Sequence, residues 1–361
     1  MGNSFEALFK RGGKQDGGEK TAPLGEVADV PEKKETDPLE LAKAINVKKE
    51  IAEITQGRTF EDLSSEDLKV VLAKYKEIEN TLGLSESEPK GGVREQMLRA
   101  KEIMGEEFFG PEEIEKAFGI RVNPDRIPGI PFAGENLERA RELGQFLILR
   151  VDTADDGAPL TMVEINKLLK GKVSGGAKAL YGNDGSGQLK DDAWYRGEAF
   201  ATQDPPRLSW ALVGKEVLPD SSNKNYLEQT VEIVDYLKNE VFAGKEIPVE
   251  FQSAISEFEK AKDEIGKLID NDWQKAAKQL EELAITKLTR QTPVEILYDI
   301  LVYFQNTGER LLENMYTWTA KRSSDGKFVV VGGFDAGGAG VDGVGPRIQA
   351  GVLGVSFSRS V

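Results

Sequence analysis

Carboxylates are the groups through which this chain could do acid–base chemistry. Its 361 residues include 62 Asp and Glu, and neither His nor Cys. Without imidazole or thiolate there is no His- or Cys-ligated zinc, no Cys nucleophile and no Ser-His-Asp triad. Proton transfer would fall to Asp, Glu, Lys or Tyr. The adjacent acids Asp155-Asp156, Asp191-Asp192 and the pair Asp270, Asp272 stand beside no nucleophile in a strand–turn–helix context. In so acidic a chain such neighbours arise by chance and read as solvated loops. A carboxylate hydrolase stays open only as a minor alternative.

Three further patterns can be set against known ligand chemistry. The stretch from Asp152 to Glu164 has the outline of a calcium loop, but Ala154 holds its third position and Glu164 comes one place too late for the bidentate ligand. The Gly-rich segment 171–192 lacks the Gly-Lys-Ser/Thr ending of a phosphate loop. Gly332, Gly333, Gly337 and Gly338 precede no helix whose first turn could hold a phosphate. The residues therefore predict no catalytic site, no metal and no cofactor.

Charge and hydropathy narrow the partners. A formal net charge of −15 repels nucleic acid and anionic lipid, so no nucleic-acid partner is expected. Apolar runs such as Phe146–Leu149 are too short to span a bilayer, so no membrane insertion is expected. The first residues lack the apolar core of a secretory signal, and Glu6 breaks the myristoylation pattern begun by Gly2. A cytoplasmic location is the resulting expectation.

The elements that would position a site can be read in order. Residues 1–36 are polar and Gly-rich and predict a disordered tail. Residues 37–90 predict a helical hairpin, with Leu68, Val71, Leu72, Tyr75 and Ile78 at helical spacing. That hairpin could pack on the rest of the chain or on a copy of itself, giving a homo-oligomer. Residues 91–139 predict a helical connector, with helices over Val93–Met104 and Pro111–Phe118. The run near Gln145–Val151 predicts a strand buried on both faces, and Leu160–Leu169 a helix capped near Thr161. Tyr195, with Trp194, is expected to anchor the loop before it by aromatic burial. Arg207–Val217 predicts a further strand.

A helical insertion is expected near 223–289. It begins with a helix over Asn225–Phe242 whose stripe is Leu227, Val231, Val234, Leu237 and Val241. Thr292, Pro293 and Glu295 then spell a capping box with Pro in the first turn, and Gly308 ends that helix. Lys327–Phe334 and Gly351–Ser358 predict strands. Between them the segment AGGAGVDGVGPRIQA predicts a long Gly- and Ala-rich loop displayed from fixed ends.

The order of the last segments carries a resemblance. The capped helix from Thr292 is followed by Trp318, an SSDG turn, Gly332-Gly333, a Gly-rich loop and the terminal run Gly354–Arg359. This order resembles the closing part of C-type-lectin-type folds, most of all the formylglycine-generating-enzyme-like branch. That branch includes the variable proteins of diversity-generating retroelements. The likeness is specific over about residues 290–361, loose over 140–289, and does not reach the N-terminal helices. It implies an α+β fold: a C-type-lectin-like domain over 140–361 with helical insertions. The branch's oxidising catalysis needs Cys, so only binding is carried over.

The resemblance implies a diversified surface over residues 317–351 for a protein or glycan ligand. Trp318, Lys321 and Arg322 would frame it. Phe334, Asp335, Asp342, Val344, Arg347, Ile348 and Gln349 would contact the ligand. Many residues there, among them Ala336, Gly337, Ala339, Gly343 and Ala350, belong to the set reached by randomising the first bases of Asn codons. The reading from another class is a structural or assembly protein that self-associates through its helices.

Overall fold

A computed structural model of the chain divides into two units, Met1–Leu84 and Ser85–Val361. It describes residues 92–169 and 194–360, together with Val70 and Lys74, both helical. The expected tail, the remainder of the expected hairpin and the Gly-rich segment 171–192 lie outside the described residues. The second unit mixes helices with two small sheets.

The chain begins there with α1 (Val93–Met104), β1 (Phe108–Phe109), α2 (Pro111–Phe118) and α3 (Gly134–Glu142), then β2 (Gln145–Arg150), α4 (Met162–Leu169) and the single turn α5 (Ala199–Thr202). Strand β3 (Ser209–Val217) leads into α6 (Tyr226–Tyr236), which runs on into a π-helical turn at Leu237–Val241. Helices α7 (Val249–Asn271), α8 (Trp273–Glu282), α9 (Ala284–Thr289) and α10 (Pro293–Thr307) follow. The chain closes with β4 (Tyr316–Arg322), β5 (Phe328–Asp335), β6 (Gly338–Val344), β7 (Leu353–Gly354) and β8 (Ser356–Ser360). Among these residues no helix is long and apolar enough to cross a membrane.

The strands form two sheets, ordered β1-β2-β3-β8 and β6-β5-β4-β7. Strand β2 is buried along its whole length, as a run without polar alternation requires. Strand β5 divides its side chains by period two. Val329 and Val331 enter one apolar core with β2, β3 and α10, while Phe328 and Val330 enter a second core with α6–α9. The second sheet is thus covered on both faces.

Helix α10 is buried from Pro293 through Phe304. A helix with apolar residues on every side is stable only as a core helix, and its two buried acids, Glu295 and Asp299, are met by Arg150. The capping box fixes where it starts: Thr292 Oγ1 accepts from the Glu295 amide, and Glu295 Oε2 accepts from the Thr292 amide.

Several expectations need correction. Residues 91–139 do not merely connect: Phe108, Phe109, Ile114, Phe118 and Phe132 fill the first core, and β1 pairs with β2. The long display loop is half strand, because Gly338–Val344 pairs with β5. Small residues hid this, since Gly and Ala carry no strand signal. The strand expected over Gly351–Ser358 breaks at Val355. Leu353-Gly354 joins the second sheet beside β4, and Ser356–Ser360 joins the first beside β3. Gly354 permits that crossing, since a Cβ there would stand 2.7 Å from the Val217 Cβ. On α6, Val231 faces solvent and Tyr226, Gln229, Thr230 and Ile233 turn inward. Tyr195 is buried as expected, whereas Trp194 stays 42 % exposed, its indole N–H donating to the Val341 carbonyl at 3.3 Å.

Candidate functional site

Strands β6 and β7 lie at opposite edges of the second sheet, so the connection 345–352 must cross the sheet from edge to edge. It crosses on the face covered by α6, and α6 holds it in place. The Tyr226 amide donates to the Pro346 carbonyl (3.0 Å) and the Asn223 amide to the Ala350 carbonyl (3.1 Å). Gln349 Nε2 donates to Glu228 Oε2 at 2.7 Å, an oxygen that also accepts from the Asn225 amide as half of the α6 capping box. The start of the helix and the crossing segment thus share one carboxylate. On the far side the Tyr316 amide donates to the Val352 carbonyl at 2.7 Å.

A segment pinned at both ends still presents side chains outward. Arg347 is exposed, and Ile348 and Val352 are 43 % and 56 % exposed. The β5–β6 register sets Asp342 opposite Val330 and Val344 opposite Phe328. Alternation then puts both on the face that the crossing segment traverses. The Tyr316 ring lies on the same sheet, where the missing side chains of Gly333 and Gly340 make room for its hydroxyl. Burial, and then the charges of Asp342 and Asp335, raise that hydroxyl above its ordinary value.

The ten residues expected to form the site therefore separate. Asp342, Val344, Arg347, Ile348 and Gln349 come together, although the Gln349 amide is engaged with Glu228. Asp335 sits in the β5–β6 turn, accepting from the Gly337 amide. At about 3.3 Å per residue it lies roughly 20 Å along the strand from the Val344 end. Trp318 and Phe334 are corrections: both are wholly buried. Trp318 packs edge-on against Tyr226, and Phe334 edge-on against Phe304. Neither ring has surface left for a ligand.

Lys321 and Arg322 also leave the group. Lys321 pairs with Asp204 at 3.2 Å, and Arg322 with Glu281 at 2.8 Å. Lys321, and Glu281 that holds Arg322, line a cleft of about 780 Å³ between the end of the first sheet, α8–α9 and the start of α10.

The interior beside this cleft is charged. Arg150, on β2, donates to both oxygens of Asp299 at 3.0 and 2.6 Å and to Ser358 Oγ at 3.1 Å. Glu295 lies 3.5 Å away. Burial works against the Arg150 charge, but Asp299 and Glu295 outweigh it and raise the guanidinium. This group joins β2, α10 and β8 and is structural in form.

Sequence reasoning missed Tyr316, Val352, Asn223 and Glu228. Glu228 was within reach, since Asn225 and Glu228 spell a capping box as Thr292 and Glu295 do. The others gain their place only from long-range packing. Among the described residues no group of acids is arranged to hold a metal. No protein-family model, curated protein or solved structure matches the chain.

Proposed function

We propose that the chain is a non-enzymatic binding protein whose ligand, a protein surface, docks on the β6–β7 crossing segment. The observation that carries this reading is the pairing of rigidity with exposure. Ile348 and Val352 stand 43 % and 56 % exposed on a segment tied to α6 and β4 by backbone hydrogen bonds. Presenting apolar side chains from a pre-ordered backbone lowers the entropy cost of binding. Arg347 and Asp342 beside them supply polar specificity. Aliphatic rather than aromatic exposure favours a protein over a glycan.

On this reading the scaffold is C-type-lectin-like and the terminal segment is the diversified part of a retroelement variable protein. Two features support it: the last strand returns to the first sheet, and the exposed positions follow one another in sequence. Comparing close copies of the gene tests it. Substitutions should gather at 342, 344, 347, 348 and 352 and spare buried Trp318 and Phe334. An even spread of differences along the chain would sink the reading. At the protein level, Ile348→Asp with Val352→Asp should abolish capture by a binder selected against the wild-type chain, with an unchanged unfolding midpoint.

A further inference from the structure

A second site is marked by a charge that the fold leaves without an opposite. Arg290, between α9 and α10, is 4 % exposed and lines the cleft of about 780 Å³. Its guanidinium lies 3.9 Å from the centre of the Tyr226 ring. Nη2 donates to the Tyr226 carbonyl and to Thr230 Oγ1, both at 3.2 Å. Nε and Nη1 are buried and have no hydrogen-bond partner among the described residues. No carboxylate offsets the burial that lowers this guanidinium below its ordinary value. A buried cation left in this state is costly, and folds rarely keep one without a use.

Most other charges of the cleft wall are already paired. Of its acids, Glu281 is held by Arg322 at 2.8 Å and Asp152 by Arg126 at 2.8 Å, while Glu295, 3.5 Å from Arg150, shares that cation with Asp299. Glu282 alone has no cation partner among the described residues. The same wall carries Arg290 and two exposed cations, Lys287 and Arg207, which have no carboxylate partner among the described residues. The first turn of α10 opens here at Thr292 and adds the positive end of its dipole. In a chain of net charge −15 this is a local positive hollow.

We propose that this cleft binds a small molecule through a carboxylate or phosphate group, with Arg290 beneath the anion and Lys287 and Arg207 at the rim. The anion supplies the opposite charge that Arg290 lacks, and the closed floor strengthens the attraction. The site is separate from the β6–β7 surface, and neither reading depends on the other.

Thermal unfolding and calorimetric titration of the whole chain with inorganic phosphate, and separately with citrate, test it against sodium chloride at matched ionic strength. A saturable rise in midpoint beyond that of chloride supports the site, and whichever anion acts identifies the group recognised. Lys287→Ala and Arg207→Ala should each weaken that anion about tenfold, the loss of one charge-assisted contact. Arg290→Met should remove the response. Because Arg290 also braces α6, the two exposed rim variants carry the test should that variant fail to fold. The proposal is overturned if neither anion acts beyond chloride, or if both rim variants bind as the parent does.

Discussion

Tyr226 shows how one residue can serve four neighbours. Its ring stacks on Phe328 at 3.9 Å and carries the Arg290 guanidinium, its hydroxyl donates to the Thr319 carbonyl at 3.0 Å, and its amide holds Pro346. Burial pushes the hydroxyl up to about 12, with Arg290 pulling the other way. The folded chain therefore holds this proton more tightly than the unfolded chain, whose tyrosines titrate near 10. The stabilisation is complete below pH ~10 and is lost as the pH climbs toward ~12, an effect on the order of 3 kcal/mol. Denaturant titrations at stepped alkaline pH should show this loss. Tyr226→Phe should cost about 1 kcal/mol at neutral pH by removing one hydrogen bond, and should make the alkaline decline shallower. An identical slope in the variant would exclude Tyr226 as its source.

At the scale of elements, the β5–β6 ribbon depends on two consecutive glycines. At Gly332 a Cβ would fall 2.0 Å from the Met315 carbonyl oxygen, a backbone atom that cannot move without breaking β4 from β5. The register shifts between Gly332 and Asp335, so the strand bulges where it approaches its neighbour. Gly332→Ala should destabilise the unit by at least ~3 kcal/mol, the upper range for overpacking, seen as a lower denaturant midpoint. Gly345→Ala, with open space around it, should be nearly silent. Equal costs at the two positions would show that close approach is not what selects Gly332. The helix signals were legible here. Thr292, Pro293 and Glu295 marked the start of α10 because a cap is a local device. The β6 strand was not legible, since only its partner β5 makes GAGVDGV extended.

At the scale of the whole molecule, two strands of the first sheet and a buried helix are joined by one charged group. Arg150 comes from β2, Asp299 from α10 and Ser358 from β8, and Gln291 Nε2 donates to the same Asp299 oxygen as Arg150 Nη2. Arg150→Met would leave Asp299 buried without its cation. The loss should be about 3–5 kcal/mol, far above the value of a surface pair. Replacing both, Arg150→Met with Asp299→Leu, should recover most of it, because the penalty is the unpaired charge rather than the missing contact. Chemical denaturation of the single and double variants checks this. No recovery in the double variant would mean that the hydrogen bonds themselves hold the first sheet to α10.

What the sequence determined by itself rests on local chemistry. Missing His and Cys limited the reactions open to the chain. The caps at Thr292 and the apolar runs at Phe146–Leu149 and Phe328–Val331 placed a helix and two strands. The proposed binding surface was legible only in part, at Asp342, Val344 and 347–349. Tertiary structure decided the rest. It buried Trp318 and Phe334, which their residue types left free to be ligand contacts. It brought α6 under the crossing segment, so that Glu228 and Gln349, 121 positions apart, share a hydrogen bond. It set Arg290 on Tyr226 with no carboxylate beside it. Burial and opposite charge are properties of neighbours in space, and residues so far apart in the chain become neighbours only when two cores close around the same sheet.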